Sequence, residues 1–282
     1  MKKFWKSMGM GVVYFAAFMG IQFWVTLAGV LLLMGNLIRQ EGMDLFLNPD
    51  TFTRLYMNGL VEHMTLIILI SNLVSLGIMW VVFRARGSRL SKEVGLQKTS
   101  RKNLLMSVFF GIGVCFLIDL MTQILPVPES MMEQFETEHG MLWFGDAGLT
   151  FLSVALVGPV SEEVFFRGLC YSRMKRGMKP WLAGLLSSVL FGIAHGNPVW
   201  FLVGLVAGLA LSWAYETTGS LWNCIVIHIT NNAISSLTAY VPLPDGLRYG
   251  LTLISLALLI VSTYFLWIFN KEPETAVSAE EN

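Results

Sequence analysis

The chain has 282 residues, 55% of them hydrophobic and only 13% charged, with a mean hydropathy of +0.63. Soluble globular domains carry about 25% charged residues. The composition therefore excludes an ordinary soluble domain and predicts an all-α, polytopic membrane protein. The formal net charge is zero, which removes the electrostatic case for a nucleic-acid partner and leaves the lipid bilayer as the expected surroundings.

Eight spans are predicted, over 10–35, 60–83, 104–125, 148–172, 181–197, 199–215, 221–240 and 249–269. Each is mostly apolar and close to the length that crosses about 30 Å of hydrocarbon. The N-terminus, MKKFWKSMGMGVVYFAAFMG, begins like a signal peptide. Its apolar run continues to about Gly35 with no small-residue cleavage site, so it reads as a retained first span. Spans one to three and their loop make up 1–126, and an acidic outer loop follows over 127–147. A core of four spans covers 148–240, the last span falls in 241–270, and the polar tail 271–282 is expected to be disordered in the cytoplasm. No internal repeat is visible.

Lys and Arg accumulate in cytoplasmic loops. Lys2, Lys3 and Lys6 precede span one, and Arg84 to Lys102 crowd the loop after span two. Arg173, Lys175, Arg176 and Lys179 follow span four. The loop before span four has Glu129, Glu133, Glu136, Glu138 and Asp146 without a basic residue. Both termini are thus expected on the cytoplasmic side.

Ionisable groups within spans cost a few kcal/mol and are functional candidates by default. Span four carries Glu162, Glu163 and Arg167 in GPVSEEVFFRGL. Glu163 and Arg167 are four apart, acid first, which suits an ion pair. Glu162 lies about 100° away around a helix and has no local partner. A carboxylate of that kind can work as a general base or acid. Span five ends in FGIAHGNP, with Phe191 and His195 on one face; a packing role for His195 is the competing reading. In span seven His228 and Asn232 share a face, where interhelical hydrogen bonding is the alternative. One carboxylate, two imidazoles and a carboxamide make a hydrolytic set. Two groups can deprotonate a water and two can donate to the oxyanion of a tetrahedral intermediate. Counting at about 1.5 Å per residue puts His195 several ångström deeper than Glu162 and His228. Tilt, a kink at Pro159 or a late start to span five would reconcile the depths.

Other polar groups read more simply. Glu62 and His63 sit at the outer edge of span two, Asp119 is an acid with no identified partner, and His139 is expected to be solvated in the outer loop. Cys115, Cys170 and Cys224 show no pairing or metal-ligand spacing and read as packed thiols. Gly192 with Gly196, and Gly204 with Gly208, predict close helix contacts.

Glu162-Glu163-Val164-Phe165-Phe166-Arg167, Phe191-Gly192-Ile193-Ala194-His195 and His228-Ile229-Thr230-Asn231-Asn232 resemble the motifs of the CAAX prenyl endopeptidase type II and bacteriocin-processing membrane proteases, the CPBP or Abi family. The likeness covers about 148–240, with TGSLWNCIVIH leading into the third motif; 1–126 matches only in being hydrophobic. It implies an intramembrane endopeptidase of the metalloprotease-labelled kind, acting on a membrane-associated peptide or lipidated protein. The residues matching Glu162 and His195 would activate water, and those matching His228 and Asn232 would hold the oxyanion. Glu163, Arg167 and Phe191 would support the site. A zinc ion held by Glu162, His195 and His228 stays open. A metal-independent mechanism is favoured, because Asn is a poor zinc ligand and no HExxH occurs. A bacteriocin-immunity or scaffold protein of the same fold and a proton-coupled transporter are the competing functions. A prokaryotic plasma membrane is the expected location.

Overall fold

The computed structural model describes residues 1–143, 146–241 and 243–271. The tail predicted to be disordered lies, from 272 on, outside the described residues. Nine helices are labelled here in chain order: α1 (Lys2–Glu41), α2 (Pro49–Ala85), α3 (Arg101–Ile124), α4 (Glu129–Trp143), α5 (Ala147–Met174), α6 (Pro180–Ala194), α7 (Pro198–Thr218), α8 (Leu221–Tyr240) and α9 (Asp245–Asn270). No strand occurs among the described residues.

Each predicted span coincides with one helix. Six of them (α1, α2, α3, α5, α7 and α9) are long and apolar enough to cross a membrane. α6 has 15 residues, about 22 Å of rise, and is too short to do so unaided. α8 has the length, but Asn223, His228, Asn231 and Asn232 make it polar. α1 and α2 run well beyond their apolar stretches. Their far ends pack through Leu33 and Leu37 of α1, with Leu45 of the turn between the two helices, against Phe52, Leu55, Tyr56 and Leu60 of α2. The start of α2 is set by Asn48, whose side chain accepts from the Thr51 N–H at 3.1 Å, with Pro49 in the first turn.

α5 is the central element and packs against α1, α2, α6 and α8. Every residue from Val164 to Tyr171 is buried, Arg167 included. Phe165 and Phe166 meet Phe18 of α1, and Phe166 meets Phe191 of α6 edge-on at 4.9 Å. Small residues set α6 against α7. A Cβ on Gly192 would stand 2.6 Å from the Phe201 carbonyl oxygen, and one on Gly208 would stand 2.8 Å from Ser188. The predicted close contacts hold at Gly192, Gly204 and Gly208. Gly196 is different: it has φ +82° and open space around it. It ends α6 in a backbone conformation that glycine adopts at low cost.

The expected outer loop 127–147 is largely helix α4. Met132, Phe135 and His139 recur at helical spacing, while Glu129 and Glu133 are exposed beside them. The charge of the segment masks this apolar stripe in the sequence.

Candidate active site

α5 is not a regular α-helix. It is π-helical over Phe151–Val157, α-helical over Gly158–Glu163 and π-helical again over Val164–Tyr171. The first irregularity has a local cause. The Gly158 N–H bonds to the Ser153 carbonyl, five residues back. The next carbonyl, Val154, would then need the N–H of residue 159, which is proline and has none. Asn232 of α8 supplies the missing donor, its Nδ2 reaching the Val154 oxygen at 2.9 Å. Side chains also serve carbonyls of the second π stretch. Ser187 donates to Phe166 and Ser172 to Arg167, each at 2.9 Å. Such π segments recur at functional sites.

The two adjacent acids of α5 face one imidazole. Glu163 is fully buried, and its Oε1 accepts from Arg167 Nη1 at 2.9 Å and from His228 Nδ1 at 2.8 Å. The other ring nitrogen of His228, Nε2, lies 3.7 Å from Glu162 Oε2. The predicted Glu163–Arg167 pair is present, but Glu163 has a second partner in α8. Glu162, which has no partner within its own helix, has a neighbour there as well. Helical spacing sees partners only within one helix, so His228 could not be assigned to either acid from sequence. Arg167 is buried with its guanidinium 4.4 Å from the Phe191 ring centroid, a cation–π contact that helps hold a charge away from water. Glu163 Oε2 and Arg167 Nε and Nη2 lack a hydrogen-bond partner among the described residues.

His195 caps the C-terminal end of α6. Its Nδ1 lies 2.7 Å from the Phe191 carbonyl oxygen, an acceptor, so Nδ1 carries a proton and in the neutral ring Nε2 is the nitrogen with the lone pair. Gly196 ends the helix, Asn197 Oδ1 accepts from Val199 N at 2.8 Å, and Pro198 opens α7. HGNP is thus a helix stop followed at once by a helix start.

A cavity of about 1030 Å³ brings these groups together. Glu162, His195, His228 and Asn232, from α5, α6 and α8, all line it, as does Phe191. Glu163 and Arg167 stand behind the wall. The expected difference in depth between His195 and the other groups does not keep them from one chamber. Two expectations are corrected here. Asp119 has a partner: its carboxylate takes Arg248 of α9, with Arg248 Nε at 3.0 Å from Oδ2. His139 is not simply solvated; it lies against Trp200 with ring centroids 5.8 Å apart. Burial holds its imidazole below the usual value. Asp119, Arg248 and His139 all line the cavity. Among the described residues no three His, Cys, Asp or Glu side chains are gathered to hold a metal ion, so Glu162, His195 and His228 do not form a ready zinc site as they stand.

Residues 145–234 match the family model described as type II CAAX prenyl endopeptidase Rce1-like. YdiL of Bacillus subtilis (strain 168), a candidate membrane peptidase, is 29% identical over 94 residues, covering 33% of this chain and 38% of YdiL. The UPF0177 protein YxdF of Lactococcus lactis subsp. lactis (strain IL1403) is 22% identical over 148 residues, covering 50% of this chain and 82% of YxdF. The match thus spans well under half the length of YdiL. No solved structure matches the chain. The chain is an integral membrane protein whose residues 145–234 are similar to the type II CAAX prenyl endopeptidases.

Proposed function

We propose that this protein is an intramembrane endopeptidase in which Glu162 and His195 activate water while His228 and Asn232 hold the oxyanion. The observation that carries the reading is the convergence of these four side chains on one cavity, with Glu163 behind His228. His195 Nε2 offers a lone pair to a water hydrogen, because Nδ1–H is spent on Phe191. Glu162 takes the proton as the water oxygen attacks the peptide carbonyl. It then passes that proton to the amide nitrogen as the C–N bond breaks.

His228 donates its Nδ1–H to Glu163. It can donate to an oxyanion through Nε2 only when that nitrogen also carries a proton. The charges then balance: Glu162 and Glu163 negative, Arg167 and His228 positive. Asn232 spends one amide N–H on Val154 and retains a second. No step requires zinc, and we propose the metal-independent route.

The substrate is a peptide or lipidated protein that enters from the bilayer, of CAAX type or a peptide toxin. We place the protein in a prokaryotic plasma membrane, with eight crossings and both termini cytoplasmic. The test is cleavage of prenylated and unprenylated hydrophobic peptides by purified protein beside Glu162→Ala, His195→Ala, His228→Ala and Asn232→Ala. Each variant is expected to lose activity, the oxyanion donors by about a hundredfold, and a chelator to leave the wild-type rate unchanged. Wild-type rates in all four variants would refute the assignment. Chelator loss restored by zinc alone would refute the metal-free route.

A further inference from the structure

The mechanism leaves unexplained how His195, at a helix end, is held in one orientation. Its backbone bond to Phe191 fixes Nδ1, and the Phe191 ring meets it edge-on at 4.7 Å. Trp200, in the first turns of α7, lies against the imidazole with centroids 6.4 Å apart and planes 29° from parallel. One turn further along α7, Gly204 leaves room for the ring: a Cβ there would stand 3.3 Å from His195 Nδ1. One face of α7 therefore cradles His195 with an indole and a gap.

Trp200 is in turn packed by α4. Phe135 lies 4.6 Å from it and His139 5.8 Å, and the Phe135 and His139 rings are stacked 6.0 Å apart. Met132, Phe135, Glu136 and His139 of α4 line the cavity. Glu129, Glu133, Gln134 and Thr137 are exposed on the same helix. α4 thus covers the cavity with a mixed inner face and an acidic outer one. A run of aromatic contacts joins this cover to His195.

We propose that Trp200 is a positioning residue for His195 and that α4 is the lid that seats it, so that the imidazole is set for water activation only when the lid is down. The proposal rests on the proteolytic reading for its catalytic consequence, but its structural half can be tested without substrate.

The chain has four histidines, few enough to follow by NMR of the purified full chain with ¹⁵N-labelled imidazoles, His195 being assigned from His195→Gln. Wild type is expected to show His195 as one tautomer with the proton on Nδ1. Trp200→Ala and, on the lid, Phe135→Ala are expected to turn that signal into a tautomer mixture while His228 is unchanged; Trp200→Phe restores it. If Trp200→Ala fails to fold, Phe135→Ala on the peripheral helix carries the test. An unchanged His195 signal in the folded variants would overturn the proposal. In cleavage assays Trp200→Ala is expected to lower kcat by about tenfold to a hundredfold with little change in KM, and Trp200→Phe to recover most of it. A change confined to KM would make Trp200 a substrate contact and overturn the positioning role. If wild type cleaved nothing, the proteolytic reading would fail while the NMR result still decided the positioning of His195.

Discussion

At the scale of single residues the decisive group is Glu163. Its pairing with Arg167 is legible in the sequence, because acid and base four apart on a helix meet. Its bond to His228 is not, because it joins residues 65 apart. The phase of α5 also depends on π turns whose carbonyls are served by Asn232 and Ser187 on other helices. With both partners in view, Glu163 does more than hold Arg167. It fixes which nitrogen of His228 faces the cavity, as a carboxylate does behind a catalytic imidazole. Glu163→Gln is therefore expected to lower kcat on the order of a hundredfold or more and to lower the melting temperature. Kinetics and thermal unfolding on one preparation check this; full activity would return Glu163 to a purely structural role. Arg167→Met leaves a buried carboxylate with one partner fewer. It is expected to cost about 3–5 kcal/mol, measured by denaturant unfolding in detergent.

Helices were the easiest level to read, since apolar length announces each span. Their ends and irregularities were harder. Pro159 is visible in the sequence, where a kink is one of three ways to reconcile the depths of the site residues. The structure instead has a widened turn repaired by a neighbouring helix, which requires knowing that α8 lies alongside. α4 was missed because its acids outweigh an apolar stripe of only a few residues. Two predictions belong at this scale. Gly204→Ala would place a Cβ 3.0 Å from the Gly192 Cα, so α6 and α7 must separate. Overpacking of this kind costs about 1–3 kcal/mol, whereas Gly77→Ala, with open space around it, should be neutral or mildly stabilising. Comparative melting curves decide between them.

The second concerns His139 in the lid. Burial favours its neutral form, so a seated lid binds fewer protons than an open one. Seating is fully supported above the ordinary imidazole value of about 6.5 and weakens as pH falls below it. The ionisable groups sharing the cavity wall are Cys115, Asp119, Glu136, Glu138, Glu162, His195, His228 and Arg248. Titration of the His139 resonance checks the direction; a midpoint above the ordinary value would contradict it.

For the whole molecule, the helices surround a largely apolar chamber that carries a few polar and ionisable groups, within an oily exterior. Composition announced the exterior and the three motifs announced part of the chamber's wall. The chamber itself was not legible, because helix neighbours are set by packing between elements distant in sequence. The Asp119–Arg248 pair shows this, bridging α3 and α9 across 129 positions. It also weakens a proton-relay reading, since Asp119 is engaged by a fixed cation. The chamber can be probed by its one thiol. Cys115 lines it, while Cys170 and Cys224 are buried. Cys115, the least buried of the three, is expected to react fastest with a maleimide in the folded protein, though slowly for a thiol packed in a helix bundle, and a bulky adduct there to block cleavage. Labelling of Cys170 or Cys224 at a similar rate would contradict the packing around them.

The most direct measurement is the rate of peptide hydrolysis by purified Glu162→Gln whose thermal unfolding matches wild type. Glutamine keeps the shape of Glu162 and cannot take a proton from water. The expected result is loss of nearly all activity with substrate still bound. A folded Glu162→Gln protein that cleaves at the wild-type rate would show that the carboxylate facing His228 is not the base, and the proposed mechanism would fall with it.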